Sequence, residues 1–147
     1  MKISTKGRYG VRFMLDLAIH SQEHVVTLKA VARRQQISEK YLWQVVTPLK
    51  SAGLITATVG AKGGYMLARD PAKITLKDIL EPLEGDCVLV KCTQRAGACR
   101  RSSACVAREI WQEVSRTLAR TMETITLKTM IEKYKAKQAG TNLTYNI

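Results

Sequence analysis

The stretch TLKAVARRQQISEKYLWQVVTPLKSAGLITATVGAKGGYMLA, residues 27–68, decides the fold. Thr27 stands where a short helix needs its N-cap, with Leu28, Val31 and Ala32 facing inward. That helix ends near Gln35-Gln36, and after a very tight turn Ser38 caps another. In the second helix Leu42, Val45, Val46 and Leu49 recur at i, i+3, i+4 and i+7 and form one apolar stripe. Pro48 lies inside this pattern and is expected to kink it, because its nitrogen has no hydrogen to donate. Gly53 is the expected stop. Two short strands follow, at 54–59 and 65–68, joined by Gly60-Ala61-Lys62-Gly63-Gly64, a glycine-rich hairpin with a lysine at its tip.

Upstream, Ser4 is placed to cap a helix in which Val11, Met14, Leu15, Ala18 and Ile19 recur at helical spacing. A polar connector, 21–26, leads to Thr27. Helix, helix, tight turn, helix and basic hairpin is the order of a winged helix-turn-helix. Downstream of Pro71, Thr75-Leu76-Lys77-Asp78 reads as a capping box opening a short helix with Ile79, Leu80 and Leu83 inside and Gly85 at its end. From about Ala104 a long helix carries Val106, Ile110, Val114, Leu118 and Met122, an apolar residue at every fourth position. Such a stripe on an arm outside a small domain needs a partner, most simply the same helix of a second subunit. Thr126 is placed to cap a last helix through Leu127, Met130 and Ile131. The expected class is mainly α with a small β-hairpin wing: a winged helix-turn-helix over 1–84, a Cys-rich loop over 85–105, a dimerisation helix and last helix over 106–134, and a flexible tail over 135–147.

Composition narrows the partners. Lys and Arg number 24 against 12 Asp and Glu, a formal net charge of +12, which favours a polyanion such as nucleic acid, or else a membrane surface. With 46% hydrophobic residues the chain can build a core, and at 5% aromatic it lacks the stacking platforms of a single-strand binder. No secretory signal opens the sequence and no apolar run approaches the ~18 residues of a membrane span, so the expected location is the cytoplasm. Paired carboxylates, a Cys–His arrangement and a phosphate-cradling loop are all missing, so no enzyme is expected.

A helix that reads duplex DNA shows the major groove a face of long polar side chains while its apolar stripe turns inward. Lys40, Trp43, Gln44 and Thr47 provide that face, and Ser38 opens the helix where its N-terminus meets phosphate. Gln44 suits bidentate pairing with adenine, and Lys62 on the hairpin suits a minor groove or a phosphate. Trp43 is open between two roles, touching DNA and packing under the hairpin. The bland alternative for any one amphipathic helix is a solvated polar face; the helix pair, hairpin and charge together favour DNA.

The four cysteines, Cys87, Cys92, Cys99 and Cys105, are separated by four, six and five residues. Zinc sites commonly pair ligands across two to four residues. The wider gaps, with Gly85 and Gly97 loosening the loop, suit a larger inorganic core. Lys91, Arg95, Arg100 and Arg101 favour thiolates and offset the charge of a cluster. Spacing alone favours iron–sulfur and leaves zinc, a thiol redox switch and no special chemistry open. His20 and His24, the only histidines, read as surface residues.

Together these residues resemble the IscR/NsrR-type regulators of the Rrf-two superfamily, over 1 to about 131. The likeness is densest at Ser4-Thr5-Lys6-Gly7-Arg8-Tyr9, at 38–53 with Tyr41-Leu42 and Leu49, and at Gly63-Gly64-Tyr65. It extends through Ile74-Thr75-Leu76-Lys77-Asp78-Ile79 and the cysteine loop. The resemblance implies a homodimeric repressor or activator on an imperfect DNA palindrome. It also implies a 2Fe–2S or 4Fe–4S cluster held by three loop cysteines, by position Cys92, Cys99 and Cys105, and sensing iron, redox state or nitric oxide. The family's 2Fe–2S type uses a histidine where this chain has Arg108, and its nitric-oxide type a partner carboxylate where this chain has Arg8. Neither arginine is an ordinary iron ligand, which leaves Cys87, solvent or a small thiol for the fourth position. Trp43 stands where glutamate is common and Val59 where the wing often has arginine, so the operator does not carry over. Two other functions fit the same residues: a cluster-free regulator controlled by thiol oxidation or a protein partner, and a basic metal-binding accessory protein.

Overall fold

Each of the first helices begins where a hydroxyl satisfies a free backbone N–H. In the computed structural model, which describes residues 2–21, 24–95 and 97–143, Ser4 caps α1 (Thr5–His20), Thr27 caps α2 (Leu28–Gln35) and Ser38 caps α3 (Glu39–Ser51), each accepting from the N–H three residues on. Gln36 takes the left-handed backbone (φ 54°), letting the chain reverse into α3 while Ile37 is buried. α3 runs through Pro48 to Ser51. It closes in a Schellman turn, Leu54 N–H to Leu49 C=O at 3.1 Å and Gly53 N–H to Lys50 C=O at 3.0 Å, with Gly53 at φ +68°.

β1 (Ile55–Thr58) and β2 (Gly64–Leu67) pair antiparallel, Ile55 opposite Leu67 and Thr58 opposite Gly64, one residue shorter at most ends than the sequence indicates. The hairpin is tied down by a contact absent from the sequence reading. Val26 and Tyr65 exchange both backbone hydrogen bonds at 2.8 Å, so the segment before α2 serves as a third, single-bridge strand. A Cβ on Gly64 would sit 2.7 Å from the Val26 carbonyl oxygen, which explains glycine there.

α4 (Leu76–Glu84) opens in the capping box of Thr75 and Asp78. α5 (Val106–Thr124) and α6 (Leu127–Leu143) follow the loop. The core joins Phe13, Met14 and Leu17 of α1 to Leu42, Val45 and Leu49 of α3, Ile79 of α4 and Leu127 of α6, all fully buried.

The C-terminal segment departs from expectation in two ways. α6 returns to the winged-helix core, where Leu127 and Ile131 are buried, and only α5 stands out from it. The α5–α6 junction is pinned to the start of α4 by Leu76 N–H to Ile125 C=O at 2.7 Å and Leu127 N–H to Ile74 C=O at 2.8 Å. The expected flexible tail over 135–147 is helical as far as Leu143, the rest lying outside the described residues. Lys135-Ala136-Lys137-Gln138-Ala139 are strong helix formers, and no proline interrupts them. No helix among the described residues is long and apolar enough to cross a membrane.

Candidate nucleic-acid interface and cysteine loop

α3 presents the face its sequence implies. Leu42, Val45, Val46 and Leu49 are buried, and Lys40, Trp43, Gln44 and Thr47 are exposed on the opposite side. Ser38 is itself exposed at the helix start, its hydroxyl accepting from Tyr41 N–H at 3.2 Å. The hairpin tip carries Lys62 into solvent, next to Val59, which is almost wholly exposed. Trp43 does not pack under the hairpin: it is 56% exposed, at the edge of a shallow cleft that α3 forms with Tyr65 at the wing's root. Lys29 and Arg33 of α2 and Lys50 of α3 add exposed cations flanking these residues.

Groups that the sequence reading missed set the angle of this face. Asp16 of α1 is 2% exposed and takes a forked ion pair from Arg34 of α2, Nη2 to Oδ1 at 2.6 Å and Nε to Oδ2 at 3.0 Å. The Gln35 amide donates to the same carboxylate at 2.8 Å. The hydrogen bond to Asp16, reinforced by its charge, raises the Arg34 guanidinium above its ordinary value. Arg12 donates to the Gln35 carbonyl at the α2 C-terminus and lies over the Tyr9 ring, which meets Tyr41 of α3 edge-on at 5.2 Å. α1 thereby clamps both α2 and α3. The available signal was Asp16 itself, a carboxylate among Phe13, Met14 and Leu17 on the buried face.

The cysteine loop is held to α5 at two points. Arg108, in the first turn, donates from Nε to the Cys92 carbonyl at 3.1 Å, and Leu89 N–H donates to Ser115 Oγ at 3.3 Å. Cys92 lies in the 3-10 turn Lys91–Thr93, Cys105 is the N-cap residue of α5, and Cys99 lies in the turns between them. All four cysteines are free and half-buried. Arg108 thus brings the Cys92 turn against the helix end that carries Cys105.

Cys87 lies elsewhere. It lines a cleft of about 440 Å³ with Leu80, Leu118 and Met122, in which burial pushes its thiol above the ordinary value against the pull of Lys77. Ser115, beside Leu89, is already ~15 Å of helix rise from the Cys105 end, which sets the Cys87 cleft apart from that end. The donor chemistry of Cys92, Cys99 and Cys105 suits iron and sulfide. Among the described residues, however, no three Cys, His, Asp or Glu side chains converge on a metal-sized site.

The long helix shows an apolar face without a cover. Ile110 is 50% exposed and Val106, Trp111 and Val114 are exposed beside it, whereas Leu118 is half-buried and Met122 buried against α4. The uncovered part of the stripe is therefore its N-terminal half, with Trp111 added to the residues read from the sequence.

A family model described as Rrf2, iron-dependent transcriptional regulator, matches residues 3–133. The chain is 41% identical over 127 residues to the protein rrf2 of Nitratidesulfovibrio vulgaris, covering 86% of this chain and 85% of that one. Among solved structures it is similar to T. potens IscR, with a TM-score of 0.76 and 38% identity over 94% of this chain and 91% of the other. It is also similar to CymR, the global cysteine regulator of B. subtilis, with a TM-score of 0.74 and 35% identity over 90% and 98% of the two chains.

Proposed function

The chain belongs to the Rrf2 family of transcriptional regulators, and from that premise we propose that it reads a two-fold DNA operator with α3 and the wing and takes its signal at the cysteine loop. The observation that carries the DNA reading is the exposed face of α3, Lys40, Trp43, Gln44 and Thr47, beside a hairpin that projects Lys62. With the helix in the major groove, Gln44 reads a base edge, Ser38 and Lys40 meet the backbone, and Lys62 meets phosphate or the minor groove. The expected operator is an imperfect palindrome, because the uncovered half of α5 suits a homodimer seam. The expected location is the cytoplasm, where such a DNA target is found.

The test is fluorescence anisotropy on duplexes selected from a random library, at several salt concentrations. Affinity falls steeply with salt, Gln44→Ala relaxes preference at one position in each half-site, and Lys62→Ala weakens all duplexes evenly. Equal affinity for every duplex would reduce the interaction to charge attraction.

For the signal, Cys92, Cys99 and Cys105 are the residues that would hold an iron–sulfur cluster, 2Fe–2S or 4Fe–4S, which supplies a redox- and nitric-oxide-sensitive centre when bound. The support is the Arg108 latch between the Cys92 turn and the Cys105 helix end. Cys87, lying apart in its cleft, is not the fourth ligand in this reading. Anaerobically purified protein is expected to absorb in the visible, Cys99→Ser to bleach it, and Cys87→Ser to keep most of it; bleaching by Cys87→Ser returns that residue to the ligand set. A second reading, favoured by the likeness to the cysteine regulator CymR, keeps the DNA binding and makes the thiols themselves or a partner protein the sensor. Colourless protein free of iron and sulfide, with DNA affinity that follows thiol oxidation, would establish it.

A further inference from the structure

Trp43 is the one large apolar side chain on the exposed face of α3, and its surroundings leave it free to be used. Among the described residues its indole has no ring neighbour and no hydrogen-bond partner. One turn on, Thr47 directs its hydroxyl back along the helix to the Trp43 carbonyl at 3.0 Å, which consumes its only donor proton. The middle of the face is therefore largely apolar: an open indole whose one polar group is its Nε1–H, and a threonine with no donor left for a base. Lys40 and Gln44 supply the polar contacts at its edges. In the major groove thymine alone among the four bases presents a methyl group, and apolar side chains are its natural reader.

We propose that Trp43, with Thr47 beside it, recognises the C5-methyl group of a thymine in each half-site. Trp43 then determines specificity by excluding water from that methyl. This rests on α3 being the DNA-reading helix.

The experiment uses the full chain and a duplex selected from a random-sequence library. Each thymine is replaced in turn by deoxyuridine, which pairs identically and keeps the O4 acceptor but lacks the methyl. Wild-type protein is expected to lose about fourfold in affinity at one thymine per half-site, the worth of one methyl removed from water. Trp43→Ala is expected to bind the thymine duplex more weakly and to treat thymine and deoxyuridine alike, whereas Trp43→Phe keeps part of the ratio. The salt slope stays the same in all three proteins, since no charge is lost. Two results would overturn the proposal: wild-type protein indifferent to deoxyuridine at every position, or Trp43→Ala with the ratio intact. Both are distinct from failure to select any specific duplex, which removes the DNA reading and the methyl reading with it.

Discussion

At the scale of single residues, the most consequential group is one buried behind the candidate DNA face. Asp16 is buried in α1 and held by Arg34 and Gln35, so the register of α2, and through it of α3, depends on one carboxylate. Removing either partner of such a pair strands the other, and the two sides are not equivalent here. Arg34→Ala leaves a buried charge with the Gln35 amide and, 3.6 Å away, the His20 ring, and is expected to cost about 3–5 kcal/mol. Asp16→Ala leaves an arginine whose side chain is 34% exposed and can regain water, so about 2 kcal/mol is expected. Urea unfolding of the two variants checks the order; equal costs would mean that the pair's worth lies in Coulomb attraction and not in desolvation. Trp43 and Thr47 are legible in the sequence as an exposed face. That Thr47 has spent its hydroxyl on the helix is not, because the choice of rotamer belongs to the folded chain.

At the scale of elements, the wing and the long helix show how much a neighbour decides. The hairpin was plain from Gly60-Ala61-Lys62-Gly63-Gly64, yet a two-stranded hairpin alone is marginal in water, and the bridge between Val26 and Tyr65 holds it to the domain. Gly64→Ala puts a Cβ against the Val26 carbonyl and is expected to destabilise by about 1–3 kcal/mol. It should speed amide exchange at Val26 and Tyr65 before the α1–α3 core; unchanged exchange at both would show that the bridge does not anchor the wing. α5 reads in sequence as one unbroken stripe. In the fold Met122 is consumed by packing and Val106, Ile110 and Val114 stay uncovered. Ile110→Asp places a charge in the proposed homodimer seam and is expected to yield monomers in sedimentation velocity, since a desolvated carboxylate without a partner costs several kcal/mol. A variant that stays dimeric would move the interface elsewhere.

At the scale of the whole molecule, the cysteine loop lies between the winged helix-turn-helix and the exposed helix, latched to α5 by Arg108 and Ser115. Under the proposed function, a change in the thiols is expected to act on the element that suits a dimer seam, and through subunit spacing on the operator. Holo and apo protein are expected to differ in affinity for a selected operator by a coupling of ~1–3 kcal/mol, read by anisotropy under anaerobic conditions. Identical affinities would remove the cluster from the regulatory mechanism and leave the DNA reading standing. The helix starts, the apolar stripes and the hairpin are legible in the sequence, because caps, periodicity and turn glycines act within a few residues. It also supplied the charge, the exposed face of α3 and the cysteine spacing. It did not show the left-handed turn at Gln36, which neither glycine nor asparagine marks. Nor did it show the Asp16–Arg34 pair, the Val26–Tyr65 bridge, the return of α6 to the core or the cleft that holds Cys87. Each of those depends on residues far apart in sequence being brought together, and only burial of the shared core in the tertiary structure decides which of them meet.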